Sequence, residues 1–226
     1  MELTIEQTLK LGVNEHNEGN LKEAEYFYRL ILQSQPAHPE ANYNLGLIAF
    51  SLNKFAVALP LFKLALEANP KTEEYWLIYI EALIKEKKFE DAKQFLEQAK
   101  KQNLSAENLY FMNAQINQNM GKLDEAEASY MKTLELKPDY AEAYNNLGNT
   151  LKDLGRLDEA EASYRKAIAS RIGYCEAHEN LANILRELGR IEEAIDSDRY
   201  TLFLRSTNVE ETKQKVSNDD LSFKYP

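Results

Sequence analysis

One cysteine, Cys175, among 226 residues leaves no disulfide framework and predicts a reducing compartment. Histidine is nearly as scarce. His16, His38 and His178 stand far apart, with neither metal-ligand nor acid–base spacing, so no metal site is expected. Glycine and proline number only eight and six, which argues for helices joined by short turns. No apolar run approaches the roughly 18 residues of a membrane span. The N-terminal MELTIEQTLKLG has neither a basic leader nor an apolar stretch, so no signal peptide is expected. Basic charge is lacking too. Lys and Arg total 27 against 37 Asp and Glu, a net charge of −10, which leaves no cationic face for nucleic acid or an anionic membrane. Neither a phosphate-cradling glycine loop nor a nucleophile elbow is present, so catalysis and cofactors are not expected. A cytoplasmic, non-catalytic protein is the expectation, with no nucleic-acid or membrane partner.

What the chain does have is repetition. GKLDEAEASY, residues 121–130, returns as GRLDEAEASY, residues 155–164, with only Lys122 becoming Arg156. Following that 34-residue period outward from Ile5 divides the chain into six repeats without a gap: 5–38, 39–72, 73–106, 107–140, 141–174 and 175–208. Positions below count from the first residue of each repeat. Position 20 is always alanine: Ala24, Ala58, Ala92, Ala126, Ala160 and Ala194. Position 8 is small in five repeats (Gly12, Gly46, Ala114, Gly148, Ala182), with Ile80 the exception. Position 24 is Tyr28, Phe62, Leu96, Tyr130 and Tyr164, then breaks at Asp198. Pro36, Pro70 and Pro138 stand at position 32.

The spacing within a repeat predicts two helices. Tyr144, Leu147, Gly148 and Leu151 share one face of a first helix, and Ala160, Tyr164, Ala167 and Ile168 one face of a second. Gly148 and Ala160 lack bulk, which predicts close approach of the two backbones. Gly155 suits a left-handed C-cap, and Asp158 with Glu161 reads as an N-cap and capping box for the second helix. The large residue at position 24 needs the next repeat to bury it, so the copies are alike where one repeat docks on another. Repeat three is the poorest copy, with Ile80, Lys87 and Leu104 at the small, turn and proline positions and Ser105 left to cap the next helix. It reads either as a worn repeat or as a hinge. A carboxylate at Asp198 predicts a wet surface on which no further repeat docks, since burying it unpaired would cost several kcal/mol. Residues 209–226 read as a capping helix or a loose tail.

The pattern resembles the tetratricopeptide repeat. Leu45-Gly46, Ala58, Phe62 and Pro70 carry the likeness in repeat two, and Tyr144, Leu147-Gly148, Ala160 and Tyr164 in repeat five. The resemblance implies an all-α fold, a right-handed α–α superhelix of six helix-turn-helix repeats over 5–208, with first helices lining a concave groove. Positions 2, 5, 6, 9, 12 and 13 then face a ligand. In the early repeats that face is apolar: Leu9, Val13, Tyr43, Leu47, Phe50, Leu77 and Ile84, continued by Phe111. A second reading has some of these packing between neighbouring first helices. In the later repeats the face carries Asn145, Asn146 and Asn149, then Asn180 and Asn183. A carboxamide both donates and accepts, so a row of them can grip a peptide backbone.

Asn44, Asn146 and Asn180 share position 6, which is similar to the asparagine ladder of the O-linked N-acetylglucosamine transferase superhelix. Lys10, Ile78 and Met112 interrupt that row, and inherited repeat consensus is the other account of it. Only Lys152 and Arg186 are basic on the late face, which argues against a carboxylate clamp.

The resemblance therefore implies a protein-interaction module that takes a peptide or helix in its groove. The rival expectation is the substrate-recruiting arm of a larger glycosyltransferase or sulfotransferase. It predicts a native protein much heavier than 26.0 kDa by intact mass. A third, a structural protein stacking on itself, predicts a concentration-dependent size; the repeat pattern specifies no oligomeric state.

Overall fold

The computed structural model describes residues 3–102 and 104–221, with side chains as far as residue 206. These residues form helices and turns, with no strand among them. The first unit, Met1–Met120, holds α1 (Ile5–Glu18), α2 (Leu21–Ser34), α3 (Pro39–Ser51), α4 (Phe55–Ala68), α5 (Glu73–Lys85), α6 (Phe89–Ala99) and α7 (Ala106–Asn119). The second, Gly121–Pro226, holds α8 (Leu123–Leu136), α9 (Ala141–Asp153), α10 (Leu157–Ser170), α11 (Cys175–Glu187) and α12 (Ile191–Leu221). Within each unit successive helices pack as antiparallel hairpins, each stacked on the next. The stretch read as a cap or tail, 209–226, begins inside α12, and residues 222–226 lie outside those described.

The tight turn of each repeat falls at position 15, where the backbone is left-handed. Gly155 takes φ 77°, and the Arg156 N–H donates to the Leu151 carbonyl at 2.9 Å, closing the end of α9. Asn53 and Lys87 occupy the same position with φ 56° and 60°. The turn geometry thus persists in repeat three despite its missing glycine, at the usual steric cost of a left-handed Cβ.

The core is organised by position 24. Tyr28, Phe62, Leu96, Tyr130 and Tyr164 are all fully buried. In three repeats the ring lies against the glycine at position 8 of its own hairpin. A Cβ on Gly12 would sit 2.8 Å from Tyr28 Cε1, one on Gly46 2.6 Å from Phe62 Cε1, and one on Gly148 2.5 Å from Tyr164 Cε1. The space expected for close backbones is filled by an aromatic face. The next hairpin then closes over the ring, as Leu45 and Ile48 of α3 do over Tyr28. Repeat three exchanges the volumes: Ile80 at position 8 accompanies the smaller Leu96, and both are fully buried. The pair fills the site with two branched aliphatic side chains in place of a ring on a glycine, a different shape for the same close-packed interior.

One local expectation is overturned. The N-cap of α10 is Arg156, no side chain caps it, and Asp158 lies inside the first turn. Glu161 pairs with Arg165 and Arg190 instead of reaching back to the helix start. The short turn places the helix two residues earlier than the Asp-x-x-Glu spacing suggests, so its acids serve the helix dipole and ion pairs. Likewise Ser105 holds the N-cap position of α7 without capping it, because its hydroxyl donates to Glu73 Oε2 at 3.0 Å.

Gly148→Ala should lower the melting temperature, because about 1–3 kcal/mol of overpacking outweighs about 1 kcal/mol of gained helix propensity. Tyr164→Leu, copying the pairing of repeat three, should recover part of that loss in the double variant. Additive losses in a thermal-melt cycle would show that the ring and the glycine do not meet.

Candidate interaction surface

In the first unit the expected ligand face is partly used for packing. Tyr43 stacks on Tyr75 with ring centroids 4.8 Å apart, joining α3 to α5. Phe50 meets Phe55 edge-on at 5.1 Å and tilts against Phe62 at 6.1 Å. Phe111 is only 6% exposed, and Ile84 is as well buried. Leu9, Val13, Tyr43, Leu47, Phe50 and Leu77 remain half-buried, offering apolar surface along α1, α3 and α5. Around them stand acids. Glu6, Glu40 and Glu74, all at position 2, are exposed. Glu81 on α5 lies among these residues, and burial pushes its carboxyl above the usual range against the opposing pull of Lys85.

The asparagines of the second unit are mostly occupied. Asn145 is fully buried, donating to Glu176 Oε1 at 3.0 Å and accepting from Asn180 Nδ2 at 2.9 Å. These bonds sew α9 to α11. Asn149 Oδ1 accepts from the Tyr164 hydroxyl at 2.8 Å, and the Asn146 side chain bonds the Tyr130 hydroxyl. Asn183 is exposed and accepts from Arg186 at 2.9 Å. In the first unit Asn44 Nδ2 donates to the Glu40 carbonyl one turn back at 2.8 Å. Each retains spare hydrogen-bonding capacity, since a carboxamide has two N–H groups and two lone pairs. Asn149 and Asn183 use only their oxygens in these bonds, which leaves their N–H groups on the face.

Several structural roles escaped the sequence. Asn42 is buried at position 4 and donates to the Pro36 and His38 carbonyls at 2.9 and 3.0 Å. Trp76, one repeat later at the same position, donates to the Pro70 carbonyl at 2.8 Å. A recurring donor therefore satisfies the carbonyl of the proline at position 32, a relation visible only by comparing position 4 of one repeat with the end of the previous one. Arg156 bridges to Glu127 of the preceding repeat and to Glu159 of its own, at 2.6 and 2.7 Å. Arg190 repeats this with Glu161 and Glu193, both at 2.6 Å. The single difference between the copied phrases thus lies at a junction between copies. Asp198, where an aromatic would stand, pairs with Arg186.

The comparisons with known proteins can be set on this geometry. Tetratricopeptide-repeat family models match residues 104–173 and 176–197, and the model of anaphase-promoting complex, cyclosome, subunit 3 matches 17–99. A tetratricopeptide repeat protein from Parabacteroides merdae superposes with a TM-score of 0.80 at 18% identity, covering 93% of this chain and 82% of that one. The chain is a tetratricopeptide-repeat protein. Its fold is the superhelical solenoid class of that family. A thermophilic tetratricopeptide protein from Thermus thermophilus matches at 0.67 and 25% identity over 80% of this chain and 99% of its own. Human IFIT1, solved as a dimer with m7Gppp-AAAA, matches at 0.71 and 17% identity over 88% of this chain. This tetratricopeptide chain spans half the length of the IFIT1 structures it matches. A comparison with curated proteins finds no match. Among the described residues no helix is long and apolar enough to cross a membrane.

Burial pushes the hydroxyls of Tyr28 and Tyr174 up to about 12, and those of Tyr130 and Tyr164 further in the same direction. Because the folded tetratricopeptide core holds these protons more tightly than the unfolded chain, their contribution is complete below pH about 10 and drains away as pH rises toward about 12. Thermal melts across that window should fall steadily. Tyrosinate absorbance from the buried rings should rise together with the loss of helix rather than before it; ionisation of all tyrosines with the helices intact would refute the burial.

Proposed function

We propose that the chain is a non-catalytic protein-interaction module whose ligand lies along the first-helix face, the concave side in tetratricopeptide superhelices. The tetratricopeptide fold supports protein interaction in general. The observation that carries the finer reading is the contrast between the two faces of the hairpins. In the second unit the second-helix side is tied up in Arg–Glu pairs from repeat to repeat, Arg156 with Glu127 and Glu159 and Arg190 with Glu161 and Glu193. The first-helix face instead differs from repeat to repeat, and it leaves apolar side chains half-covered and amide N–H groups unspent. Surface that is variable and incompletely satisfied is where a repeat scaffold encodes its partner. In the first unit a peptide or a helix fits with apolar side chains against Tyr43, Leu47, Phe50 and Leu77; in the second unit peptide carbonyls fit the amide N–H groups of Asn149 and Asn183.

A photo-crosslinking residue at Leu47 or Asn149 should capture a partner from native extract, whereas the same residue at the exposed Val57 or Ile195 should not. Capture from Val57 and Ile195 alone would put the interaction on another face and overturn the reading.

A further inference from the structure

We infer that the partner segment received by the first unit is basic, presenting an arginine to Glu81 from within an otherwise apolar stretch; this rests on the first-helix face being the binding surface. The charge on that face is one-sided. Among the described residues Glu6, Glu40, Glu74 and Glu81 belong to no ion pair, whereas the corresponding acids of the second unit are already engaged, Glu142 by Arg171 and Glu176 by Asn145. Lys10 and Lys85 are the only cations among the face positions of the first three repeats; both are exposed, and Lys85, one turn on from Glu81, pulls on its carboxyl without forming an ion pair among the described residues.

Glu81 is the centre of this arrangement. It occupies position 9 of its repeat, where Leu47 stands one repeat earlier and Gln115 one repeat later. The helices α5 and α7 are fixed side by side at their starts. Glu73 accepts from the Ser105 N–H at 3.2 Å, the Ser105 hydroxyl at 3.0 Å and Asn108 Nδ2 at 2.8 Å. From there Glu81 lies about 12 Å and Gln115 about 10.5 Å further along their helices, at 1.5 Å per residue, so the two are at similar heights along a pair of helices in contact. Gln115 Oε1 is buried and accepts no hydrogen bond among the described residues. A half-buried carboxylate without an ion pair and an unmet amide acceptor thus occupy the same position in adjacent repeats. Leaving such groups unsatisfied is costly, and a ligand that supplies the donors recovers that cost on binding.

Arginine suits this demand better than lysine. Its planar guanidinium offers five N–H donors in a fixed fork, enough to hold Glu81 while reaching Gln115 after rotation of that flexible amide. It also sheds water more readily beside aromatic surface such as the Tyr43–Tyr75 stack. Burial first, and then Glu40 and Glu74 on the rim, hold the Tyr75 hydroxyl proton more tightly, and these two acids favour further positive charge along the segment. The partner is thus a segment with apolar anchors for Leu47 and Leu77, one arginine between them, and a basic bias outside.

The test is selection of random displayed peptides on the full chain, followed by affinities for the wild type, Glu81→Gln, Leu47→Asp and the exposed control Glu192→Gln. Glu81→Gln removes a half-buried charge, so its melting temperature should hold or rise, which separates binding from folding. The expected result is enrichment of arginine-bearing apolar peptides that lose roughly tenfold or more in affinity on Glu81→Gln, lose binding on Leu47→Asp, and ignore Glu192→Gln. Peptides that depend on Leu47 but neither carry a basic residue nor respond to Glu81→Gln would overturn this inference and leave the binding face standing. Peptides indifferent to both Leu47 and Glu81, or no enrichment at all, would overturn the face as well.

Discussion

An aromatic ring seated on a glycine governs this architecture. In repeats one, two and five the ring at position 24 lies where it does only because position 8 of the same hairpin gives up its Cβ, and once seated it exposes a flat apolar surface that another hairpin covers. The two requirements are linked. The first fixes the crossing of helices within a repeat, and the second makes a lone repeat unstable, so that stability accrues along the stack. Where the ring shrinks to Leu96, the glycine is replaced by Ile80, and both side chains are still fully buried. Where it becomes Asp198, the partner is an arginine on the neighbouring helix and the surface stays partly open.

The second layer of organisation is polar and crosses from copy to copy. Arg156 and Arg190 each grip an acid in their own helix and one in the preceding repeat. Exposed pairs of this kind are worth little singly. Their value lies in register, since a repeat rotated on its neighbour would break them together. The Asn145–Glu176–Asn180 chain does the same work on the opposite side of the second unit. There the energetics are stiffer, because Asn145 is fully buried and would cost about 1–3 kcal/mol if left without partners. Amides that look like ligand-binding groups by their position are therefore also fasteners between repeats.

This double use separates the two units chemically. The second unit satisfies most of its polar face internally, leaving scattered N–H groups suited to a peptide backbone. The first keeps an apolar face edged by acids that form no ion pair among the described residues, and a carboxylate that burial makes reluctant to ionise.

The 34-residue period, the two helices of each repeat, the left-handed turn and the identity of the core positions were all legible in the order of residues. These are local or strictly periodic properties: helix faces follow from 3.6 residues per turn, and the turn from one backbone angle. Which face residues were free was not legible. Asn145 and Asn146 are neighbours in sequence with the same chemistry, yet one is sealed between α9 and α11 and the other meets the Tyr130 hydroxyl. The fate of Asp158 and Glu161 was likewise settled by a turn two residues shorter than their spacing implied, and by an arginine 29 residues away. Hydrogen-bond partners in a solenoid sit about one repeat distant, and the docking angle between hairpins selects them. That angle exists only in the folded stack, because it results from the packing of whole rings and helices rather than from any one residue's preference.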